Sequence, residues 1–420
     1  MTPHVLIIGA GIGGLCLAQG LRRAGIPVTV FERNRTRVDW LQGYRIHINP
    51  HGSRALHRSL EPAAWQQFVD TVSREDGGFA FLTEQLDTLL SIDSELVNHG
   101  STDPAERHHG VSRITLRHVL LTGLDDVIEF DRTFERYEIT PDGRVVAYFT
   151  DGSSAVGDLL VGADGANSRV RRQLLPHAER IDTGVVAVAG KLRLTDPVRA
   201  ELPAALTTRA NSVLPRREGS LFTAVWHGDR QPVSVGAPDG GFLFDNTTDY
   251  TFWAYADSAS RFPNLDDHSG EDLQRLVLDK IRTWSPHLGT LVAKSDPDTV
   301  NAIAIRSATP VEPWPTGPVT LLGDAIHNMT PMAGIGANTA LRDADLLSSQ
   351  LAGSGALLPA VREYERQMLD YGFAAVKLSL RNARQAGSAN PVARTAFRGV
   401  LRLAEAVPAI KRRMFADLGR

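Results

Sequence analysis

The sequence predicts an α/β fold: a parallel, nucleotide-binding sheet interrupted by an inserted, mostly antiparallel sheet and followed by a helical C-terminal region. Three observations predict it. The apolar runs VLII (5–8), LLV (159–161) and VTLL (319–322) each lead straight into glycine, as strands buried on both faces of a parallel sheet do. The first run continues through a glycine-rich turn and an amphipathic helix to a second strand, a βαβ unit complete within the first 33 residues. Between 184 and 257 the pattern becomes alternation broken by Gly, Pro and Asp, the signature of antiparallel strands with one face covered.

In chain order, LCLAQGLRRAG has apolar residues at helical spacing with Gly25 placed as a C-terminal cap, and PVTVFER is the second strand. Together they make the first part Rossmann-like. From about 77 to 107 both signals fade. Helical spacing returns in RITLRHVLLTGL (113–124), and 128–150 reads as two strands around the turn PDGR (141–144). GVVAVAGKLRL, SLFTAVWHG, PVSVGAP, GFLF and DYTFWAYAD are the strands of the insertion, and the helix EDLQRLVLDKIRTW (271–284) closes it. The stretch 336–420 is mostly helical. The nucleotide-binding part is thus expected in three pieces, 1–76, 108–180 and 296–352. The substrate-domain segments are 77–107 and 181–295, and 353–420 forms the C-terminal helical region.

The chain has 420 residues, 42% hydrophobic and 22% charged, with a net charge of −3. That balance offers no electrostatic case for nucleic acid or an anionic membrane as the main partner. Cys16 is the single cysteine, which excludes an internal disulfide and a cysteine-based metal cluster and fits a reducing cytoplasm. MTPHVLIIGAGIGG lacks the basic and small-residue pattern of a signal peptide. No apolar run approaches the ~18–20 residues of a membrane helix, so stable membrane insertion is not expected.

Three motifs carry chemistry. Gly9-Ala-Gly11-Ile-Gly13-Gly14 links a strand to a helix, and Glu32 ends the next strand. Gly9 permits the tight turn, Gly11 lets backbone approach a pyrophosphate, and Gly14 lets helix and strand pack closely. Phosphates sit on the free amides at the positive end of the helix, and the acid accepts from a ribose diol. Asp164-Gly165-Ala-Asn-Ser168-Arg-Val-Arg171 also has a purely structural account, a turn at Asp164-Gly165 with Ser168 as cap. Finally, Gly323-Asp324 puts an acid at a strand's carboxyl end, where open α/β sheets place ligands. Beyond Pro331, Gly334-Ile-Gly336-Ala337-Asn338 opens a helix, supplying unpaired amides suited to a group that gains negative charge.

In this order the motifs resemble the class A flavoprotein monooxygenases, the para-hydroxybenzoate hydroxylase family, over roughly residues 4–350. The resemblance implies FAD with NAD(P)H as a transient reductant. It places the adenosine half at Gly9, Gly11, Gly13, Gly14, Glu32 and Arg33. The family's Asp-Gly fingerprint matches Asp164, Gly165, Ser168 and Arg171; its Gly-Asp motif puts Asp324 on the ribityl chain. Pro331, Gly334, Gly336, Ala337 and Asn338 would lie against the isoalloxazine. Arg113-Ile-Thr-Leu116 is similar to the family's Arg-x-x-Leu and would bring Arg113 near the flavin. Ile335 departs from the glutamine that many members carry between these glycines. The implied activity is insertion of one oxygen atom from O2 into an apolar or aromatic small molecule through a flavin C4a-hydroperoxide. The outcome would be hydroxylation, epoxidation or Baeyer–Villiger insertion, in a setting that suits specialised-metabolite or antibiotic biosynthesis. An FAD-dependent reductase of the geranylgeranyl-reductase type, or a non-catalytic flavoprotein that sequesters a small molecule, would use the same nucleotide-binding part.

Other residues have a structural and a functional account side by side. Arg45 and His47 alternate along a strand that the family runs towards ring and substrate, which makes them catalytic candidates; a structural role is the alternative. Trp253 and Tyr255 share one strand face, as sheet core or as pocket wall. His327 is expected to be a satisfied loop histidine, and Cys16 to be packing. The basic residues Arg394, Arg398, Arg402 and Lys411–Arg413 are expected on a solvated helix face rather than at a membrane surface.

Overall fold

The computed structural model describes residues 2–36, 45–73, 78–98, 100–228, 248–265 and 268–414. The strands expected at PVSVGAP and GFLF, and the boundary expected at 76/77, lie outside these residues.

Five parallel strands form the nucleotide-binding sheet, in the order Val319–Leu321, Leu159–Gly162, Val5–Ile8, Val28–Phe31 and Ile128–Glu129. All four residues of Val5–Ile8 and of Leu159–Gly162 are buried, because helices cover both faces. The glycine-rich turn leads into the helix Ile12–Arg23, whose last turn carries Arg22 and Arg23 against the helix dipole. Phe134–Ile139, Val145–Phe149 and Ser154–Gly157 form a small antiparallel sheet.

The second large sheet has seven strands, in the order Asn301–Ala308, Arg180–Arg193, Tyr250–Ser258, Ser220–Trp226, Ala210–Val213, Phe79–Leu82 and Thr88–Ile92. Its pairings are antiparallel except for Ala210–Val213 with Phe79–Leu82. Asn301–Ala308 pairs with Arg180–Arg193, so this part of the segment 296–352 belongs to the inserted sheet rather than to the nucleotide-binding sheet. Its NAIAI, exposed at Asn301, Ile303 and Ala304 but buried at Ile305, offers no continuous buried run, which is the signal that was there to be read. Trp253 and Tyr255 are fully buried against the helices Gly270–Lys280 and Pro286–Ala293 with Leu273, Val277 and Leu288. They are the core of this layer, and Trp253 Nε1 donates to Ser295 Oγ at 2.7 Å. The register puts Lys191, Trp226, Tyr250 and Phe252 on the opposite face.

The chain then returns to the first sheet through Val319–Leu321 and ends in the helices Gly336–Gly353, Leu357–Gly387, Pro391–Ala406 and Pro408–Met414. Among the described residues no helix is long and apolar enough to cross a membrane. Leu357–Gly387 is the brace: Tyr364 donates to the Leu321 carbonyl at 2.8 Å, and Glu365 accepts from Thr316 and Thr320 at 2.7 and 2.9 Å.

Asp343 of the Gly336–Gly353 helix is completely buried. Its carboxylate accepts from Gly323 N at 2.8 Å, His327 Nε2 at 2.6 Å and Tyr371 Oη at 2.5 Å. A buried carboxylate is tolerated only when so satisfied. Asp343→Ala is therefore expected to cost about 3–5 kcal/mol, measured by denaturant unfolding. Burial works against a charge on His327, but the Asp343 carboxylate outweighs it and raises the histidine's pKa. Stability from this pair is present below the ordinary histidine range and fades as pH rises through the raised folded value. His327→Gln should flatten that dependence.

Candidate functional site

Four adjacent strands of the parallel sheet deliver the predicted loops to one edge. Gly323-Asp324 leaves Val319–Leu321, Asp164-Gly165 leaves Leu159–Gly162, the Gly9–Gly14 turn leaves Val5–Ile8, and Glu32 follows Val28–Phe31. Parallel strands necessarily present their carboxyl ends together, so residues up to 315 positions apart in sequence (324 minus 9) share one rim.

The glycines of the first turn have three different reasons. Gly9 has φ +110°, and a Cβ there would lie 2.5 Å from the Ala163 carbonyl oxygen. At Gly14 a Cβ would lie 2.1 Å from the Gly9 oxygen, which is the close helix–strand packing expected. At Gly11 nothing lies within 4 Å and the backbone is extended; the protein itself leaves that space open. Gly13 has a packing reason as well. A Cβ there would meet Leu322 Cδ1 at 2.7 Å and Ala340 Cβ at 3.2 Å, so it packs the first helix against the Gly-Asp strand and the late helix.

Glu32 is 8% exposed. Its Oε2 accepts from Ala10 N at 2.8 Å and its Oε1 from Asn34 N at 2.9 Å, which pins the glycine turn to the second strand. Arg33 is exposed beside it. Arg113 is exposed at the start of the helix Arg113–Leu121, capped by Ser112. One turn on, Arg117 Nε donates to the Ala10 carbonyl at 3.1 Å. Sequence reasoning missed Arg117, although i and i+4 share a helix face.

Ser168 caps the helix Arg169–Leu174 by accepting from Arg171 N at 2.8 Å, and Gly165 has φ +75°. The structural account of this motif is therefore correct as far as it goes. Asp164 Oδ2 accepts from Arg169 N at 2.7 Å, while its Oδ1 is buried without a hydrogen-bond partner, and burial raises the carboxyl's pKa. The buried Arg171 stitches two loops, donating to Ala325 O at 2.8 Å and Ala166 O at 3.1 Å.

Gly323 adopts φ +62°, open only to glycine without strain, and turns Asp324 outwards. Asp324 is exposed and, among the described residues, makes no hydrogen bond or ion pair. Pro331–Ala333 form a single turn, Gly334 is left-handed at φ +65°, and Ile335 precedes the helix with no side chain capping it. The first intrahelical bond is Thr339 N to Ile335 O at 2.9 Å, which leaves the amides of Gly336, Ala337 and Asn338 ahead of it. Pro331 and Gly334 are exposed; Met332 packs beneath them on Val185, Ala187 and Ala256 of the seven-stranded sheet. The Asn338 side chain is committed to the protein. It accepts from Asn49 N and donates to His47 O, each at 2.8 Å, clamping the strand Arg45–Ile48 to the late helix, so only its backbone amide remains for a ligand.

Arg45 and His47 sit between the two large sheets. Arg45 N donates to Tyr250 Oη at 3.1 Å, and the guanidinium lies across Gly110. His47 Nε2 and His108 Nδ1 are 2.8 Å apart with stacked rings. Burial, with His108, Arg45 and His109 nearby, pushes the His47 pKa well below the usual histidine range and keeps the ring neutral. Lys191 Nζ lies 4.5 Å from the Tyr250 ring centroid, and burial pulls its pKa down to about 7. No pattern around Lys191 marks it in the sequence.

The residues present fit a flavin dinucleotide. An open space stands above Gly11, a buried Asp164 oxygen lacks a partner, an unpaired carboxylate stands at 324, and uncapped amides open the late helix on the same rim.

The chain matches the model of the NAD(P)-binding Rossmann-like domain over residues 7–71 and that of the FAD binding domain over 265–355. It is 32% identical to the dual O-methyltransferase/FAD-dependent monooxygenase elcB of Phaeosphaeria nodorum, over 84% of this chain and 40% of that protein. The chain thus spans less than half the length of such dual relatives. It is 31% identical to the FAD-dependent urate hydroxylase of Klebsiella oxytoca, over 87% of this chain and 85% of that one. A crystal structure of a candidate FAD-containing monooxygenase from Photorhabdus luminescens superposes with a TM-score of 0.81 and 40% identity, covering 91% of this chain and 98% of the other. The sheet edge and the matches agree, and this chain belongs to the FAD-dependent monooxygenases.

Proposed function

We propose that the protein is an NAD(P)H-consuming FAD monooxygenase that transfers one oxygen atom of O2 to an apolar or aromatic small molecule. The observation that carries this reading is the unpaired Asp324 carboxylate on the same rim as the Asp164 and Gly11 loops. Bound FAD, once reduced by NAD(P)H, would activate O2, one atom of which passes to the substrate while the other leaves as water.

Each residue then has a task. Gly11 and the first amides of Ile12–Arg23 take the pyrophosphate. Glu32 accepts from the adenosine ribose while holding Ala10, and Asp324 accepts from the ribityl hydroxyls. The amides of Gly336, Ala337 and Asn338 favour negative charge at the pyrimidine edge of the ring, and Pro331 keeps the approach rigid. The sheet face with Trp226, Tyr250 and Phe252 offers an apolar, aromatic wall for substrate. Arg45 stays cationic there and His47 neutral, so His47 accepts or donates a hydrogen bond without a charge. NAD(P)H visits as a transient reductant. A cytoplasmic setting suits the lone buried Cys16, and a relative that joins an O-methyltransferase to the monooxygenase fits a role in tailoring specialised metabolites.

Purified protein should carry flavin, and a screen of aromatic compounds should find ones that accelerate NAD(P)H oxidation with matching O2 uptake and appear with one added oxygen. Flavin binding with NAD(P)H oxidation but no oxygen in the product would favour a reductase, and a protein unable to bind flavin would end the proposal. Asp324→Ala should weaken FAD binding by roughly 10- to 100-fold, the weight of hydrogen bonds to a charged group. The melting temperature of the flavin-free protein should stay unchanged, since Asp324 makes no hydrogen bond or ion pair among the described residues. Gly11→Ala should likewise lower FAD affinity and spare the fold, whereas Gly14→Ala should lower the flavin-free melting temperature as well.

A further inference from the structure

The helices Pro391–Ala406 and Pro408–Met414 carry an apolar face that the described residues leave exposed. Their inner side is accounted for: Leu401 and Ala404 pack on Leu89, Leu90 and Ile92, and Arg398 donates to Glu84 at 2.8 Å. On the outer side, Val392, Val400 and Leu403 are 76%, 49% and 54% exposed, with Ile410 and Met414 continuing the face. The apolar residues 392, 396, 400, 403 and 407 recur at intervals of four, four, three and four, which is one face of a helix. Of the basic residues expected on a solvated face, Arg402, Arg412 and Arg413 are exposed while Arg398 is buried, and the long helix turns a second apolar stripe away from the protein.

Charge decides what covers it. Arg402, Arg412 and Arg413 are exposed and make no hydrogen bond or ion pair among the described residues. Glu405 is the sole acid between 391 and 414, and Lys411 already pairs with it at 3.1 Å. A second copy of the chain would set three unpaired cations against three more, with no acid to meet them. An anionic lipid surface meets both needs, taking the apolar face into the headgroup boundary and the arginines against its phosphates. The overall charge of −3 conceals this local excess.

We propose that the C-terminal helix pair docks the folded protein on an anionic lipid surface, without crossing it. The proposal is independent of the oxygen-transfer chemistry. It is tested by flotation of the flavin-loaded full chain with vesicles of phosphatidylcholine alone or mixed with phosphatidylglycerol. Partition onto the mixed vesicles should be at least about tenfold higher and should collapse near 1 M salt, where the Debye length is about 3 Å. Leu403→Asp should abolish it with flavin content and melting temperature intact, because the side chain is outside the core. The double variant R412A/R413A should lose roughly 25-fold, about fivefold per basic residue at ~1 kcal/mol each. Equal or absent binding to both vesicles overturns the proposal, as does anionic binding that survives both variants. A dimer in sedimentation that Leu403→Asp dissolves would instead assign the face to a second copy.

Discussion

The buried carboxylate of Asp343 is the constraint on which the rest of the rim depends. It cannot remain buried unless its oxygens are satisfied, and its three donors come from different parts of the chain: the Gly323 amide, the His327 ring and the Tyr371 hydroxyl. One group thereby fixes the Gly-Asp turn, the short helix behind it and the brace Leu357–Gly387 relative to one another. Gly372 completes the arrangement, since a Cβ there would sit 2.7 Å from the His327 ring. Asp343 also lies on the helix whose first amides point at the rim. The carboxylate that stays buried is what lets Asp324, 19 residues earlier (343 minus 324), stay free.

Much of this was legible before any coordinates. Continuous apolar runs identified the parallel strands because strands covered on both faces leave no polar positions. Glycine loops identified the rim because backbone near a phosphate excludes side chains. The insertion was legible from its alternation, yet Asn301–Ala308, which pairs with it, fell inside the segment 296–352 expected in the nucleotide-binding part. That edge strand is exposed at four of its eight positions, and an edge carries little of the core pattern that gives a strand away.

The site was less legible where one residue type serves two purposes. Gly13 fits a cofactor fingerprint, but the demand on it comes from Leu322 and Ala340, which sequence distance hides. Asn338 stands in the loop expected at the flavin, while its side-chain amide holds His47 and Asn49. Trp253 and Tyr255 were ambiguous between core and pocket because a strand's alternation names two faces without saying which meets the helices. Arg117 and Lys191 have no motif at all; only packing brings one onto Ala10 and the other under the Tyr250 ring.

The two sheets divide the electrostatic work. On the nucleotide side, acids and helix amides sit on an open rim, where water screens them until a ligand excludes it. On the inserted side, Lys191 and His47 are held where charge is expensive, and both pKa values move downwards through burial. Arg45 keeps a permanent cation at that junction, because a guanidinium is not deprotonated in proteins. The junction thus sets neutral or readily neutralised groups on one side against fixed positive potential on the other.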